Sequence, residues 1–284
     1  MEFSYVFPTA CSAAKGLVET RQMAPRMRKS MERVILQSAL PPRGCTVGGR
    51  TGSEKTMIST LFLHEELVLL ALKDEEGTIA SGAMYRHAIG GAILAELLLD
   101  DRIRIVEPKK KKKLVELVSA TPLGDALIDE CLARIRDSKK RRSAQDWVSK
   151  FANMKNLKHR VADQLVNRGI LRGGEGRVLG IFNRKIYPEV NAEPETELIG
   201  RMREAIFTDT HDVDPRTVVL VSLANATNIL KVPFDKKKLK ERKKRIEQVV
   251  NGEVTGKAAK EAVEAMRAAI MVAVFVPLFV AASD

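Results

Sequence analysis

Residues 84–118 read MYRHAIGGAILAELLLDDRIRIVEPKKKKKLVELV. Met84 to Leu99 are apolar at helical spacing, and Gly90-Gly91 removes two Cβ atoms from the middle of that helix, so another backbone can approach closely. The chain then runs into Arg102-Ile-Arg-Ile-Val, which alternates like a strand; Pro108 and five lysines interrupt it, and Leu114 to Val118 alternates again. This is a helix followed by a hairpin with a lysine tip. A similar unit recurs downstream. Lys158 to Arg168 is amphipathic and ends at Asn167-Arg168-Gly169, and short strands are expected around Ile170-Leu171 and Val178 to Phe182, with a Gly-rich turn between.

Outward from these units the pattern is helical. Leu61, His64, Glu65, Leu67, Val68, Leu70, Ala71 and Leu72 share one face of a helix closed by the acidic turn KDEEG at 73–77. Gly124 to Arg136 is periodic, the basic stretch SKKRR fills 138–142, and a further helix carries Trp147 and Phe151. Helices are expected over Glu195 to Phe207, Asp214 to Leu230 and Lys237 to Val250, and from Lys257 onward; Asp214-Pro215 supplies a start with proline at the first helical position. The fold class is mainly α, a single globular helical domain with small β-hairpins. Residues 1–56 differ in texture, with Pro8, Pro25, Pro41, Pro42 and the Gly-rich GCTVGGRTGS, and read as a basic N-terminal extension, flexible in character, ahead of a domain over 57–284. Met57 opens the first well-patterned segment, so an over-extended start is the other reading of that extension.

The chain has 284 residues, 45% of them hydrophobic and 30% charged, which suffices for a full core and excludes a disordered chain. Lys and Arg number 48 against 36 Asp and Glu, a net charge of +12, which calls for an anionic partner. Nine basic and four acidic residues fall in 1–56, so five of those charges belong to the extension and seven to the rest. Three cysteines, Cys11, Cys45 and Cys131, are too few and too far apart for a disulfide framework or a zinc site and suit a reducing cytosol. The longest apolar stretch, Ala268 to Ala282, contains Pro277 and is shorter than the roughly 20 residues a spanning helix needs, so it reads as a buried C-terminal helix. Glu2 and the lack of a basic n-region argue against a secretory leader. Any membrane role is then peripheral.

Signs of catalysis fail one by one. GGRTGSEKT at 48–56 lacks the Gly-Lys-Ser/Thr ending of a phosphate loop and no strand precedes it. LHEEL at 63–67 begins like a zinc-protease helix, but Val68 stands where the second histidine belongs, and His64 reads as a helix-surface or boundary residue. His87, His159 and His211 are isolated, and neither a metal nor another cofactor is expected. The protein is read as a non-enzyme. What remains is three basic runs, Lys109–Lys113, Lys139–Arg142 and Lys236–Arg245, each either a solvated face or an anion-binding one. Aromatic residues are only 5% of the chain, too sparse for base-stacking platforms, whereas an anionic membrane needs mainly lysine and arginine.

Four blocks carry a resemblance: LFLHEELVLLALKDEEG at 61–77, GGAILAELLLDDRIRI at 90–105, ATPLGDALIDECLARI at 120–135 and HRVADQLVNRGIL at 159–171. In this order and spacing, continuing through DPRTVVLVSLANATNIL at 214–230, the chain resembles a divergent member of the Golgi phosphoprotein 3 family. The resemblance implies a helical domain that binds phosphatidylinositol 4-phosphate on the cytosolic face of the Golgi and retains membrane proteins by their cytoplasmic tails, without catalysis. It also implies a headgroup site built from a tryptophan, an arginine and two basic residues three apart. The basic pair is matched by Lys155 and Lys158, which three-residue spacing would put on one helix face. The other two positions hold Ser81 and Gly90, a departure that favours anionic lipid in general over one phosphoinositide, and Tyr85 and Arg86 are the nearby replacements. The family's self-association hairpin corresponds to the segment from Tyr187-Pro-Glu-Val190 to Glu197, which makes a homo-oligomer an expectation of the resemblance.

Three functions follow as expectations. The first is a peripheral membrane adaptor whose partners are an anionic phospholipid surface and the cytoplasmic tails of membrane proteins. The second takes the helix-and-hairpin units as winged-helix-like and the charge as a footprint on double-stranded nucleic acid, although neither helix carries a dense Arg/Asn/Gln face. The third is a protein scaffold that does not bind lipid.

Overall fold

The structure is a computed structural model that describes residues 61–255, apart from 74–76, 81–83, 108–112 and 179–181. Both the extension over 1–56 and the apolar stretch Ala268 to Ala282 lie outside the described residues, as do Ser81 and the tip of the lysine run.

At the centre stands the helix that opened the reading, α2 (Tyr85–Leu99), buried without interruption from Ala88 to Leu97. A helix apolar on every side must be wrapped by others. It packs most extensively on α1 (Leu63–Ala71) and α4 (Ala144–Ala152), and also meets α3 (Ala126–Arg136), α5 (Leu157–Asn167) and α7 (Pro215–Ala226). α1 is buried at all nine positions and α7 at nearly all of its own, so three interior helices form the core. The amphipathic helices α3, α4, α5, α6 (Glu193–Phe207) and α9 (Lys243–Val250) each contribute one stripe to it. Gly90 is what lets α4 in. A Cβ there would stand 2.7 Å from the Val148 carbonyl oxygen and 3.1 Å from the Ala152 nitrogen, so the two backbones touch where the sequence has no side chain.

Helix ends follow the capping chemistry. Asp125 accepts from the Leu127 and Ile128 amides, Ser143 and Asp146 form a capping box at α4, and Asp214 accepts from the Thr217 amide with Pro215 behind it.

The sheets are three two-stranded antiparallel hairpins. β1 (Leu72–Lys73) pairs with β2 (Thr78–Ile79) around the KDEEG turn, a hairpin too short for its alternation to show in the sequence. β3 (Ile103–Val106) and β4 (Leu114–Leu117) pair Ile103 with Leu117 through Val106 with Leu114, as the alternation predicts. The third hairpin is displaced from its expected place. β5 is Gly174–Val178 and β6 is Phe182–Ile186, so the glycines read as a turn begin a strand. Ile170 and Leu171 instead pack in the core and bind the segment after β6: Leu171 bridges Glu189, and the Val190 amide donates to the Ile170 carbonyl. That segment, expected as part of a self-association hairpin, is pinned at Tyr187, whose amide donates to Gly77. Gly77 has φ +56° and a Cβ there would overlap the Tyr187–Pro188 backbone.

Two expected helices are broken. Asp214 to Leu230 stops at Ala226, where Asn228 turns left-handed (φ 60°) into a 3-10 turn over Ile229–Lys231. Lys237 to Val250 is split at Arg242 into α8 (Lys236–Glu241) and α9. The reason is tertiary: Arg242 donates to the carbonyls of Ile206 and Thr208 and pairs with Asp209, while the buried Arg245 donates to the carbonyls of Ala205 and Thr210. Two cations of the third basic run thus tie down the end of α6.

Candidate functional site

The interior of α1 and α2 contains three carboxylates, and their neutralisation fixes how the helices stand. Glu65 receives Arg168 at 2.6 Å, Glu66 receives Arg201, and Glu96 receives Arg216 at 2.6 Å. Glu96 also accepts from the Leu63 amide at 2.9 Å, and Arg216 donates to the Leu61 carbonyl, so the pair clamps the entry to α1. A carboxylate left alone at such depth would be strongly destabilising. Burial pushes the Glu66 carboxyl up, with Arg201 and Arg216 opposing and the neighbouring Glu96 reinforcing the rise.

His64 belongs to the same interior. It is fully buried, not the surface or boundary residue expected, because α1 is enclosed on all sides. Its Nε2 lies 3.4 Å from Gln164 Oε1 and 3.5 Å from Asp125 Oδ2. Burial favours the neutral imidazole, but the Asp125 carboxylate outweighs it and the net shift is upward. Burial likewise pushes the Asp125 carboxyl up, and His64 with the Ile128 and Leu127 amides reverses that and holds it below its ordinary range.

On this frame, one of the site residues expected from the sequence, Arg86, meets the end of α4, and another, Lys155, follows in the turn after it. Arg86 lies exposed at the start of α2, and its Nε donates to the Ala152 carbonyl at 2.9 Å, closing the C-terminal end of α4. Lys155 is exposed in the turn three residues further on, a span of about 10 Å even fully extended. Lys158 sits half-buried at the second position of α5. Tyr85 is partly buried and packs against the core beside Arg86. Arg86 thus joins the start of α2 to the end of α4, Lys155 follows three residues after that end, and Lys158 lies in the first turn of α5. One detail differs from the sequence reading. α5 begins only at Leu157, after Asn156 turns left-handed (φ 56°), so Lys155 is not on the helix face of Lys158.

Gly90 stands one turn after Arg86 on the same side of α2, pressed against α4, and no arginine side chain fits there. Burial, and then the charge of the neighbouring Arg86, hold the His87 imidazole below its ordinary range.

Tyr85, Arg86, Lys155 and Lys158 include three cations and no paired nucleophile and base. Among the described residues no group of three or more His, Cys, Asp or Glu could hold a metal ion. Cys131 is buried and burial pushes its thiol up to about 12, so it is no nucleophile. Nor does α2 suit the role of a groove-reading helix, because Ala88 to Leu97 face protein on every side. Among the described residues no helix is long and apolar enough to cross a membrane.

Helical architecture and block order agree with comparison to known proteins. The chain belongs to the Golgi phosphoprotein 3 family, whose model matches residues 63–266. It is 27% identical over 207 residues to vacuolar protein sorting-associated protein 74 of Eremothecium gossypii, a match that covers 62% of this chain and 62% of that relative. The chain therefore spans less than two thirds of the relative it matches.

Proposed function

We propose that the protein is a peripheral membrane protein that binds anionic phospholipid, phosphatidylinositol 4-phosphate or a similar headgroup, through Lys155, Lys158, Arg86 and Tyr85. The observation that carries this reading is the meeting of Arg86 with the end of α4 three residues before Lys155. Two lysines hold phosphate as point charges, and a guanidinium adds directed N–H groups. The phenol ring of Tyr85 adds an amphipathic contact of the kind found at membrane interfaces. In this role the protein serves as a trafficking or retention adaptor on the cytosolic face of the Golgi, holding the cytoplasmic tails of membrane proteins, with no catalytic step of its own. The name of its Eremothecium gossypii relative, a protein of vacuolar sorting, is consistent with trafficking.

Co-sedimentation with phosphatidylcholine vesicles, with and without phosphatidylinositol 4-phosphate, tests the proposal. Binding is expected only with the anionic lipid, weakening as salt shortens the reach of the charges, and Lys155→Glu/Lys158→Glu should abolish it. Equal sedimentation with neutral vesicles, or no effect of the double variant, rules the reading out.

A further inference from the structure

A second cationic feature lies at the other end of α4. A pocket of ≈ 440 Å³ opens between the β3–β4 hairpin, the end of α3 and the 138–142 loop, lined by Arg104, Arg136, Lys140, Arg141, Arg142 and Glu116 over a floor that includes Trp147. Five cations face one carboxylate. Glu116 takes Arg104 at 2.7 and 2.5 Å and Arg141 at 2.7 Å, and Arg136 turns to Asp137 at 2.8 Å. The hydrogen bond from Arg104, then the Arg141 charge, hold the Glu116 carboxyl below its ordinary range. Among the described residues, Lys140 and Arg142 have no acidic partner, although Arg142 is half-buried. A positive excess lining an open pocket of ligand size calls for an anion from outside.

We infer that this pocket is a binding site for a compact phosphomonoester-bearing ligand, separate from the site at Lys155 and Lys158. α4 has nine residues, so its two ends stand about 13 Å apart. Guanidinium groups match phosphate oxygens bidentately, and a dianion matches the unneutralised Lys140 and Arg142. An acidic peptide fits less well. Extended peptides bind by adding to a strand edge, and the edge of β4 here is taken by the loop itself, the Val115 amide donating to the Arg142 carbonyl at 2.9 Å and Leu114 bridging Ser143.

Trp147 is the single tryptophan of the chain and lines this pocket, so its emission reports on it. The full-length protein is titrated with inositol 1,4-bisphosphate, with phosphatidylcholine vesicles carrying phosphatidylinositol 4-phosphate, and with tetraglutamate. A saturable emission change is expected with the first, the second or both; the free sugar phosphate alone identifies a soluble ligand, and the vesicles alone a lipid headgroup. Lys140→Ala/Arg142→Ala breaks no ion pair seen among the described residues and should weaken binding about tenfold or more. Glu116→Gln, which frees Arg104 and Arg141, should tighten it, and Lys155→Glu/Lys158→Glu should leave the signal in place even where vesicle sedimentation is lost. No saturable change with either phosphate probe, a change that survives Lys140→Ala/Arg142→Ala, loss of the sugar-phosphate signal in Lys155→Glu/Lys158→Glu, or tighter binding of tetraglutamate than of phosphate overturns the inference.

Discussion

Arg168, Arg201 and Arg216 end on Glu65, Glu66 and Glu96 inside the helical core, while Lys155, Lys140 and Arg142, at the two ends of α4, reach outward with no acidic partner among the described residues. The two sets carry the same charge and differ in what neutralises it. Interior arginines are consumed in fixing helices to one another. Cations at the ends of α4 have no such role among the described residues. Net charge alone therefore misleads about where attraction resides: Arg242 and Arg245, in a run as basic as any, are spent on carbonyls of α6 and the loop after it.

Variants of the two regions should separate along that line. The largest effect on stability is expected from Glu96→Ala, which strands Arg216 and the Leu63 amide inside the protein; urea denaturation should show a loss of about 3–5 kcal/mol. Asp125→Ala removes a helix cap as well as the partner of His64, and about 2 kcal/mol should go from the same measurement. Gly90→Ala sets a methyl group against the Val148 carbonyl and should cost about 1–3 kcal/mol. At the other extreme, Lys155→Glu should change stability by under about 0.5 kcal/mol while weakening binding to anionic vesicles. If the lysine variant unfolds the protein, or Glu96→Ala leaves it intact, the division between spent and available charge fails.

The His64–Asp125 pair adds a dependence on pH. Raised in the folded state, the His64 pKa gives stability that is complete below its ordinary 6.5 and is lost as pH rises through the folded value. Asp125 is lowered, so its contribution is complete above its ordinary 3.8 and is lost as pH falls through the folded value. The pair thus contributes most between those two ordinary values. Urea midpoints should hold level across this range and decline above pH 6.5 in the parent, and lose that decline in His64→Gln.

Much of the fold can be read along the chain. The uninterrupted apolar run of α2, the glycines within it, the alternation of β3 and β4 and the Asp214-Pro215 start are local signals, and each element stands where its signal lies. Local signals fail where a distant partner intervenes. The glycines at 173–176 look like a turn, yet β6 pairs with them, and Leu171 finds Glu189. The basic run at 236–245 looks like one helix, yet Arg242 and Arg245 are drawn to carbonyls 34 to 40 residues away. Glu65 and Glu66 gave a hint of their own, since carboxylates in so apolar a helix require cations, but Arg168 and Arg201 lie 103 and 135 residues downstream.

The sites divide in the same way. Lys155, Lys158, Tyr85 and Arg86 could be named from the sequence, as could the basic stretch at 138–142, because charge and motif order are properties of the chain. That Arg86 closes the end of α4 beside Lys155, and that Arg104, Glu116 and Arg136 join the 138–142 loop around Trp147, required the fold. By itself the sequence determined where the apolar helices lie and the sign of the chain's own charge, since apolar period and net charge are sums over residues. Tertiary structure alone decided which cations are neutralised within the protein, because a charge is neutralised by whatever lies within a few ångströms, and packing brings together residues that the chain keeps a hundred positions apart.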